Sequence, residues 1–199
     1  MPIPKRTFYF LRHGQTDWNG QGRLTGHADI PLNEHGIAQA KSACSILDRC
    51  GIDMVVCSPL VRALKTAAIV VEHLKKPLFV DSDLREIDFG SFEGLIANDL
   101  KRQLGMDISE RISHRLPADA EQWPDTQART VRVLTRWLDE TPSQTILFVA
   151  HYGIMDALHD LIFHQRIRAE HAPYCWRSGG NGWECQLVRA EAERCRDGA

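Results

Sequence analysis

Apolar residues along the chain fall into short runs separated by helix-length stretches of mixed character. Residues 7–11 form a short aromatic-rich run that reads as a buried strand. Residues 54–57 and 145–150 read the same way. Residues 77–80 and 183–188 are weaker strand candidates, the latter preceded by a turn at 178–182. Between these runs the spacing becomes helical. Ile37, Ala40, Cys44 and Leu47 follow the capping residue Asn33, and Gly51 stops that helix. Ser58-Pro59 predicts the next helix start, with Ser58 as cap and Leu60, Leu64, Ala67, Ala68 and Val71 as the apolar face. A longer helix starts at Asp119 or a neighbour, with Ala128, Val131, Leu134 and Leu138 as its stripe and Pro142 just past its end. Ile154, Ala157, Leu158, Leu161 and Ile162 mark the last. Strands alternating with helices predict an α/β fold: a three-layer sandwich with a mostly parallel central sheet and helices on both faces.

The polar stretches between these elements are where binding groups collect. Residues 15–31 contain Gly20, Gly22 and Gly26 and read as a loop. Residues 84–94 carry two glycines among charged residues and read as another loop. Residues 95–118 read as a short helix around Leu100 and Leu104 and then a weakly patterned polar stretch. We therefore expect one domain over residues 1–199, with a covering excursion at about 91–120. The tail from Glu191 is charged and is expected to fray.

Composition narrows the picture. A chain of 199 residues can bury about 70% of its unfolded surface, so it needs no disulfide or metal staple. A net charge of −2 argues against general nucleic-acid binding but leaves room for one local cationic pocket. The six cysteines, Cys44, Cys50, Cys57, Cys175, Cys185 and Cys195, contain no Cys-x-x-Cys pair, which argues against a zinc or thioredoxin-like site. Cys44, Cys50 and Cys57 read as buried thiols. No segment approaches a membrane span, and the N-terminus has no signal-peptide core, so a cytoplasmic protein without membrane partners is expected.

The candidate chemistry lies at strand ends. The first run ends in Arg12-His13-Gly14, the second in Ser58-Pro59-Leu60-Val61-Arg62, and the residue 145–150 run in His151-Tyr152-Gly153. In a parallel sheet these ends share one rim, where ligands bind, and Gly14 would let the backbone approach a ligand closely. Two arginines and two histidines brought together repel one another unless an anion sits among them. A phosphate fits best, because its oxygens match arginine forks. A neutral His13 could attack phosphorus, with the cations stabilising the equatorial oxygens. The leaving alkoxide needs a proton, and Glu86 and Asp88 are the candidates to supply it, with Glu93 and Glu121 more distant. Trp123 and Trp137 read as packing, and His159 and His164 do not share a helix face well enough for a metal pair.

These motifs resemble the histidine phosphatase superfamily, the group that includes cofactor-dependent phosphoglycerate mutases. Arg12-His13-Gly14 is followed by Gln15-Thr16 and Trp18-Asn19. Ser58-Pro59 is followed by Arg62 and Thr66-Ala67. Glu86 precedes Phe89-Gly90 and Glu93-Gly94, and a strand ends in His151. The resemblance implies a phosphoglycerate mutase-like fold and an enzyme. His13 would be the phosphorylated nucleophile, Arg12, Arg62 and His151 the phosphate pocket, and Glu86 the general acid. Asn19 matches a further phosphate contact, and Thr25-Gly26 a substrate-touching loop. No metal and no cofactor are implied. The chain departs from the family's pattern at Tyr152, where glycine is common and where the ring could narrow the pocket or add a hydroxyl contact. It departs again at Ala120-Glu121, where Gly-Glu is common. The short Phe-Gly…Glu-Gly form resembles the phosphatase branch acting on a small-molecule phosphomonoester. The alternatives are mutase-type phosphoryl transfer and an inactive phospho-ligand binding protein.

Overall fold

The computed structural model describes residues 3–167, 171–179 and 182–189. Six strands form one mixed sheet: β1 (Phe8–Arg12), β2 (Met54–Cys57), β3 (Leu78–Val80), β4 (Ile146–Ala150), β5 (Pro173–Gly179) and β6 (Gly182–Leu187). Their order is β3-β2-β4-β1-β5-β6. The first four strands run parallel, β5 runs antiparallel to β1, and β6 runs antiparallel to β5. The helices are α1 (Asp17–Gly20), α2 (Glu34–Leu47), α3 (Val61–Leu74), α4 (Ala97–Gln103), α5 (Trp123–Glu140) and α6 (Tyr152–Phe163).

Strand alternation splits the core into two layers. Phe8, Phe10, Val56 and Phe148 face Val133, Leu134 and Leu138 of α5 and Ile154 and Leu158 of α6. Tyr9, Leu11, Val55 and Val149 face Ala43, Cys44 and Leu47 of α2 and Ala67 and Val70 of α3. The expected sandwich is therefore present. A third cluster, including Leu24, Ile87, Phe89, Leu100 and Trp123, lies where residues 91–120 pack back on the domain.

Several local expectations are corrected. The sequence reading had no strand at 173–179, and it placed a turn at 178–182. Ser178 and Gly179 instead pair with Trp183 and Gly182 in the β5–β6 hairpin. Residues 15–31 hold the one-turn helix α1, closed by a capping box in which Thr16 and Asn19 bond each other's backbone. Asn33 caps α2 as expected, its Oδ1 accepting from Gly36 N at 2.9 Å, but α2 ends at Leu47, ahead of Gly51. The buried face of α3 is Arg62, Ala63, Thr66, Ala67 and Val70, and Leu64 lies outside it. Polar Arg62 and Thr66 disguised that face, because they are buried for the site and not for the core. Helix α5 starts at Trp123, and its buried stripe is Thr126, Thr130, Val133, Leu134 and Leu138, with Ala128 exposed. Cys44 and Cys57 are buried and Cys50 half-buried. Cys195 and the tail from Glu191 lie outside the described residues. No helix among the described residues is long and apolar enough to cross a membrane.

Candidate active site

Sheet register alone gathers the strand ends. Arg12 lies opposite Ala150 of β4, and Cys57 of β2 lies opposite Val149. Ser58 is therefore level with Ala150 and Arg12, and His151 and His13 follow one residue on. The His13 and His151 rings end 5.0 Å apart between centroids, tilted by 57°. Arg62 reaches the same rim from the first turn of α3 and is fully buried.

His13 is held by backbone groups. Its amide donates to Ala150 O at 2.9 Å. Its Nδ1 bonds Gly14 O at 2.7 Å, so Nδ1 carries the proton. Nε2 then keeps its lone pair and has no hydrogen-bond partner among the described residues. Burial, then Arg12 and Arg62, hold the imidazole pKa well below 6.5, outweighing the Gly14 bond, so the ring is neutral near pH 7. Gly14 is needed for packing, because a Cβ there would overlap the carbonyl of Gly36 in α2. Its amide donates to Thr66 Oγ1 at 3.1 Å.

His151 is oriented by Ser58. The Ser58 hydroxyl lies 2.8 Å from His151 Nε2, and Ser58 Oγ also accepts the Leu60 amide at 3.3 Å. The hydroxyl proton has no other acceptor among the described residues, so it goes to Nε2. Proton-free Nε2 leaves the proton of the neutral ring on Nδ1. Burial and Arg62 keep His151 neutral, its pKa also well below 6.5. Ser58 is thus not the helix cap that the sequence suggested. Leu60 occupies the cap position of α3 without a side-chain bond.

Arg62 donates to Ala28 O at 2.9 Å and to Gly26 O at 2.7 Å. Arg12 stacks against Tyr152, its guanidinium carbon 5.7 Å from the ring centroid. Arg12 Nε, Arg62 Nε and His151 Nδ1 are all buried without a hydrogen-bond partner. Unpaired buried donors are uncommon, and three in one cationic cluster mark a place for an anion with several acceptor oxygens.

Glu86 supplies the carboxyl. It is 8% exposed, and its Oε1 accepts the amides of Ile87 and Gly153, each at 3.0 Å. Burial raises its pKa above 4.5, against the pull of the Ile87 amide, Arg62, Arg12 and the Gly153 amide. A Cβ at 153 would overlap Glu86 Oε1 and the Ile87 side chain, so glycine there lets the carboxyl sit against the Gly153 amide. Of the other carboxylates, Asp88 accepts from Gly90 N at 2.8 Å and lies 3.8 Å from His27 Nδ1. Glu121 is paired with Arg129 at 2.8 and 2.6 Å. Glu93 accepts the amides of His27 at 2.5 Å and Ala28 at 3.0 Å, and so orders the loop whose carbonyls hold Arg62.

The remaining expected residues are at the same rim or in its support. Asn19 Nδ2 donates to Thr25 Oγ1 at 3.4 Å, and Gly26 gives its carbonyl to Arg62. The Tyr152 hydroxyl donates to Ile167 O at 3.2 Å and accepts from Arg166 Nε at 2.8 Å. Sequence reasoning missed His171, whose Nδ1 donates to His13 O at 2.9 Å. No local pattern marks it. It also missed the roles of Ser58 and Glu93, although both were visible within motifs. Trp123 and Trp137 both pack, as expected, and donate to Asp160 and Asp81. Among the described residues, no group of three or more His, Cys, Asp or Glu side chains is placed to hold a metal ion.

The α/β sheet with a buried cationic rim defines an anion-handling protein of phosphoglycerate mutase-like fold. The chain belongs to the histidine phosphatase superfamily (branch 1), whose family model matches residues 8–175. It is 31% identical over 153 residues to an adenosylcobalamin/alpha-ribazole phosphatase of Escherichia coli, covering 75% of each protein. It is 34% identical over 164 residues to a 2,3-bisphosphoglycerate-dependent phosphoglycerate mutase of Bartonella bacilliformis, covering 77% of this chain and 80% of that one. Among solved structures it is similar to YhfR of Bacillus stearothermophilus, with a TM-score of 0.79 and 25% identity over 91% of this chain and 95% of that one. It is also similar to a mycobacterial glucosyl-3-phosphoglycerate phosphatase in complex with VO3, with a TM-score of 0.75 and 27% identity over 92% and 98% of the two chains.

Proposed function

We propose that the protein is a phosphomonoesterase that hydrolyses a small phosphorylated metabolite through a phosphohistidine on His13. The observation that carries this reading is the neutral His13 with a free Nε2, beside a buried carboxyl and three unpaired donors. In the first step Nε2 attacks phosphorus, the bond from phosphorus to the ester oxygen breaks, and the Glu86 carboxyl gives its proton to the departing oxygen. In the second step Glu86, now ionised, takes a proton from water. The water oxygen attacks phosphorus, and the phosphorus–nitrogen bond returns its electron pair to Nε2.

Arg12, Arg62 and His151 Nδ1–H bind the phosphoryl oxygens as charge builds on them. Two guanidiniums and a buried N–H donor supply charge stabilisation that a metal would otherwise supply, so the reaction needs none. Asn19, Thr25, Gly26 and Tyr152 shape the phosphate end of the site. We read the chain as one catalytic domain in which residues 91–120 cover the leaving group.

Phosphate release from p-nitrophenyl phosphate in EDTA, for the native protein and His13→Ala, tests this. Chelator-resistant turnover that disappears in His13→Ala supports the reading, and equal rates sink the nucleophile assignment. Interconversion of phosphoglycerates without net phosphate release would replace hydrolysis by mutase transfer.

A further inference from the structure

Glu86 sits on an irregular stretch of chain. Strand β3 ends at Val80, one 3-10 turn follows at Ser82–Leu84, and residues 85–89 belong to no helix or strand. Glu86 and Ile87 are nonetheless buried. Carbonyls in such a stretch have no ladder of their own and must find partners elsewhere.

Arg129 of α5 supplies most of them. Its Nη1 donates to Asp83 O and to Arg85 O, each at 2.7 Å, and its Nη2 reaches Glu86 O at 3.4 Å. The remaining donors go to Glu121, Nε to Oε1 at 2.8 Å and Nη2 to Oε2 at 2.6 Å. All five guanidinium N–H groups are thereby used. The two side chains are 12% and 18% exposed, so this is not a solvated surface pair. The Glu121 amide adds a further tie, donating to Asp88 O at 2.9 Å, and His27 Nε2 donates to Glu86 O at 2.9 Å.

The division of labour is geometric. A planar fork held bidentately along one edge presents its other edge in a fixed direction. Glu121 holds that first edge, and the loop takes the second. Both Glu121 oxygens are spent on Arg129, so Glu121 is not the acid itself. Within the loop, Glu86 Oε1 is fixed by the Ile87 and Gly153 amides, while Oε2 has no hydrogen-bond partner among the described residues.

We propose that Arg129, aimed by Glu121, is the positioning residue for the general acid. It holds the backbone of residues 83–88 so that the Glu86 carboxyl meets the ester oxygen of a phosphate bound at the His13 rim. This rests on the reading of Glu86 as the proton donor. Arg129 and Glu121 act through the loop and not on the substrate.

Steady-state kinetics on p-nitrophenyl phosphate and phenyl phosphate test the proposal, because phenolate needs its proton more than p-nitrophenolate does. Arg129→Met should lower kcat for phenyl phosphate about 100-fold, the order that a small misplacement costs, and for p-nitrophenyl phosphate only about tenfold, with KM little changed. Added to Glu86→Gln, the same substitution should cost less than about twofold, because the group it positions is gone. Arg129→Lys should recover part of the loss, and Glu121→Gln should show the same preference between esters at smaller size. Equal losses on the two esters, or an undiminished loss beside Glu86→Gln, overturn the proposal and leave the pair a purely structural one. Should a thermal melt show Arg129→Met unfolded, Glu121→Gln with and without Glu86→Gln decides by the same two criteria. A Glu86→Gln variant that slows both esters equally, or a native protein that hydrolyses neither, brings down the general-acid reading and the proposal with it. Discrimination by Glu86→Gln but not by the Arg129 and Glu121 variants brings down the proposal alone.

Discussion

The Ser58 hydroxyl and His151 Nε2 meet at 2.8 Å and fix which nitrogen of that imidazole carries the proton. The bond links the ends of β2 and β4, two strands that register already holds side by side. It leaves the neutral ring with an Nδ1–H donor that no described residue accepts, with no need to protonate a ring beside two arginines.

Ser58→Ala removes that bond and frees the ring to take either tautomer. We expect kcat/KM to fall about tenfold, the order of one net hydrogen bond, with the melting temperature little changed. Steady-state kinetics beside a thermal melt check this. Unchanged kinetics would separate Ser58 from the site.

Gly153→Ala places a methyl group on the Glu86 carboxylate and on the Ile87 side chain. Overpacking of this kind costs about 1–3 kcal/mol, and Glu86 is the group that must move. Activity should fall more than tenfold while the variant remains folded. A crystal structure of the variant should show Glu86 displaced.

The pH profile follows from two opposite shifts. His13 is neutral well below pH 6.5, and Glu86 holds its proton above 4.5. The first step needs both conditions, so kcat/KM should be greatest on the acid side and decline as pH rises through the Glu86 pKa. Glu86→Gln should abolish that alkaline decline and slow turnover by about 10²–10⁴. The loss should be larger for an alkyl phosphate than for p-nitrophenyl phosphate, whose leaving group needs less protonation.

The buried imidazoles also make stability depend on pH. His13, His151 and His171 all have folded pKa values below 6.5, about 4 for His171. The unfolded chain takes up protons that the folded chain refuses. Stability is therefore fully present above pH 6.5 and is lost as pH falls towards the folded values. Glu86 acts oppositely: its contribution is present below pH 4.5 and is lost as pH rises through its raised pKa. Urea midpoints should fall between pH 7 and pH 4. His171→Asn, which keeps a donor for His13 O, should flatten part of that slope.

Glu93→Ala releases the His27 and Ala28 amides and loosens the carbonyls that hold Arg62. We expect KM for substrate to rise about tenfold. Glu93→Gln should recover part of the loss, because its amide oxygen can still accept one N–H.

Much of the site was legible because its residues sit at strand ends, where alternating runs stop at polar groups. Register then aligned His13 with His151, and fold and rim agreed with the motifs from Arg12 to His151. What escaped depended on tertiary contact. Ser58 looked like a cap because Ser-Pro is a common helix start, and only the approach of β4 gives it another partner. Arg62 and Thr66 concealed the true face of α3, because buried polar residues break the apolar pattern. Strand β5 was hidden because Arg177, Ser178 and Gly179 interrupt its apolar start. His171 reaches His13 O across a sequence separation of 158 residues, which no local spacing encodes.

The central claim is a covalent phosphoenzyme on His13. Its most direct test is rapid quenching of the native protein into alkali with a ³²P-labelled phosphomonoester, followed by peptide mapping. The account predicts an alkali-stable, acid-labile label on the peptide containing His13 and none in His13→Ala. Turnover of the native protein with no label at His13, under conditions where Glu86→Gln also accumulates none, would contradict it.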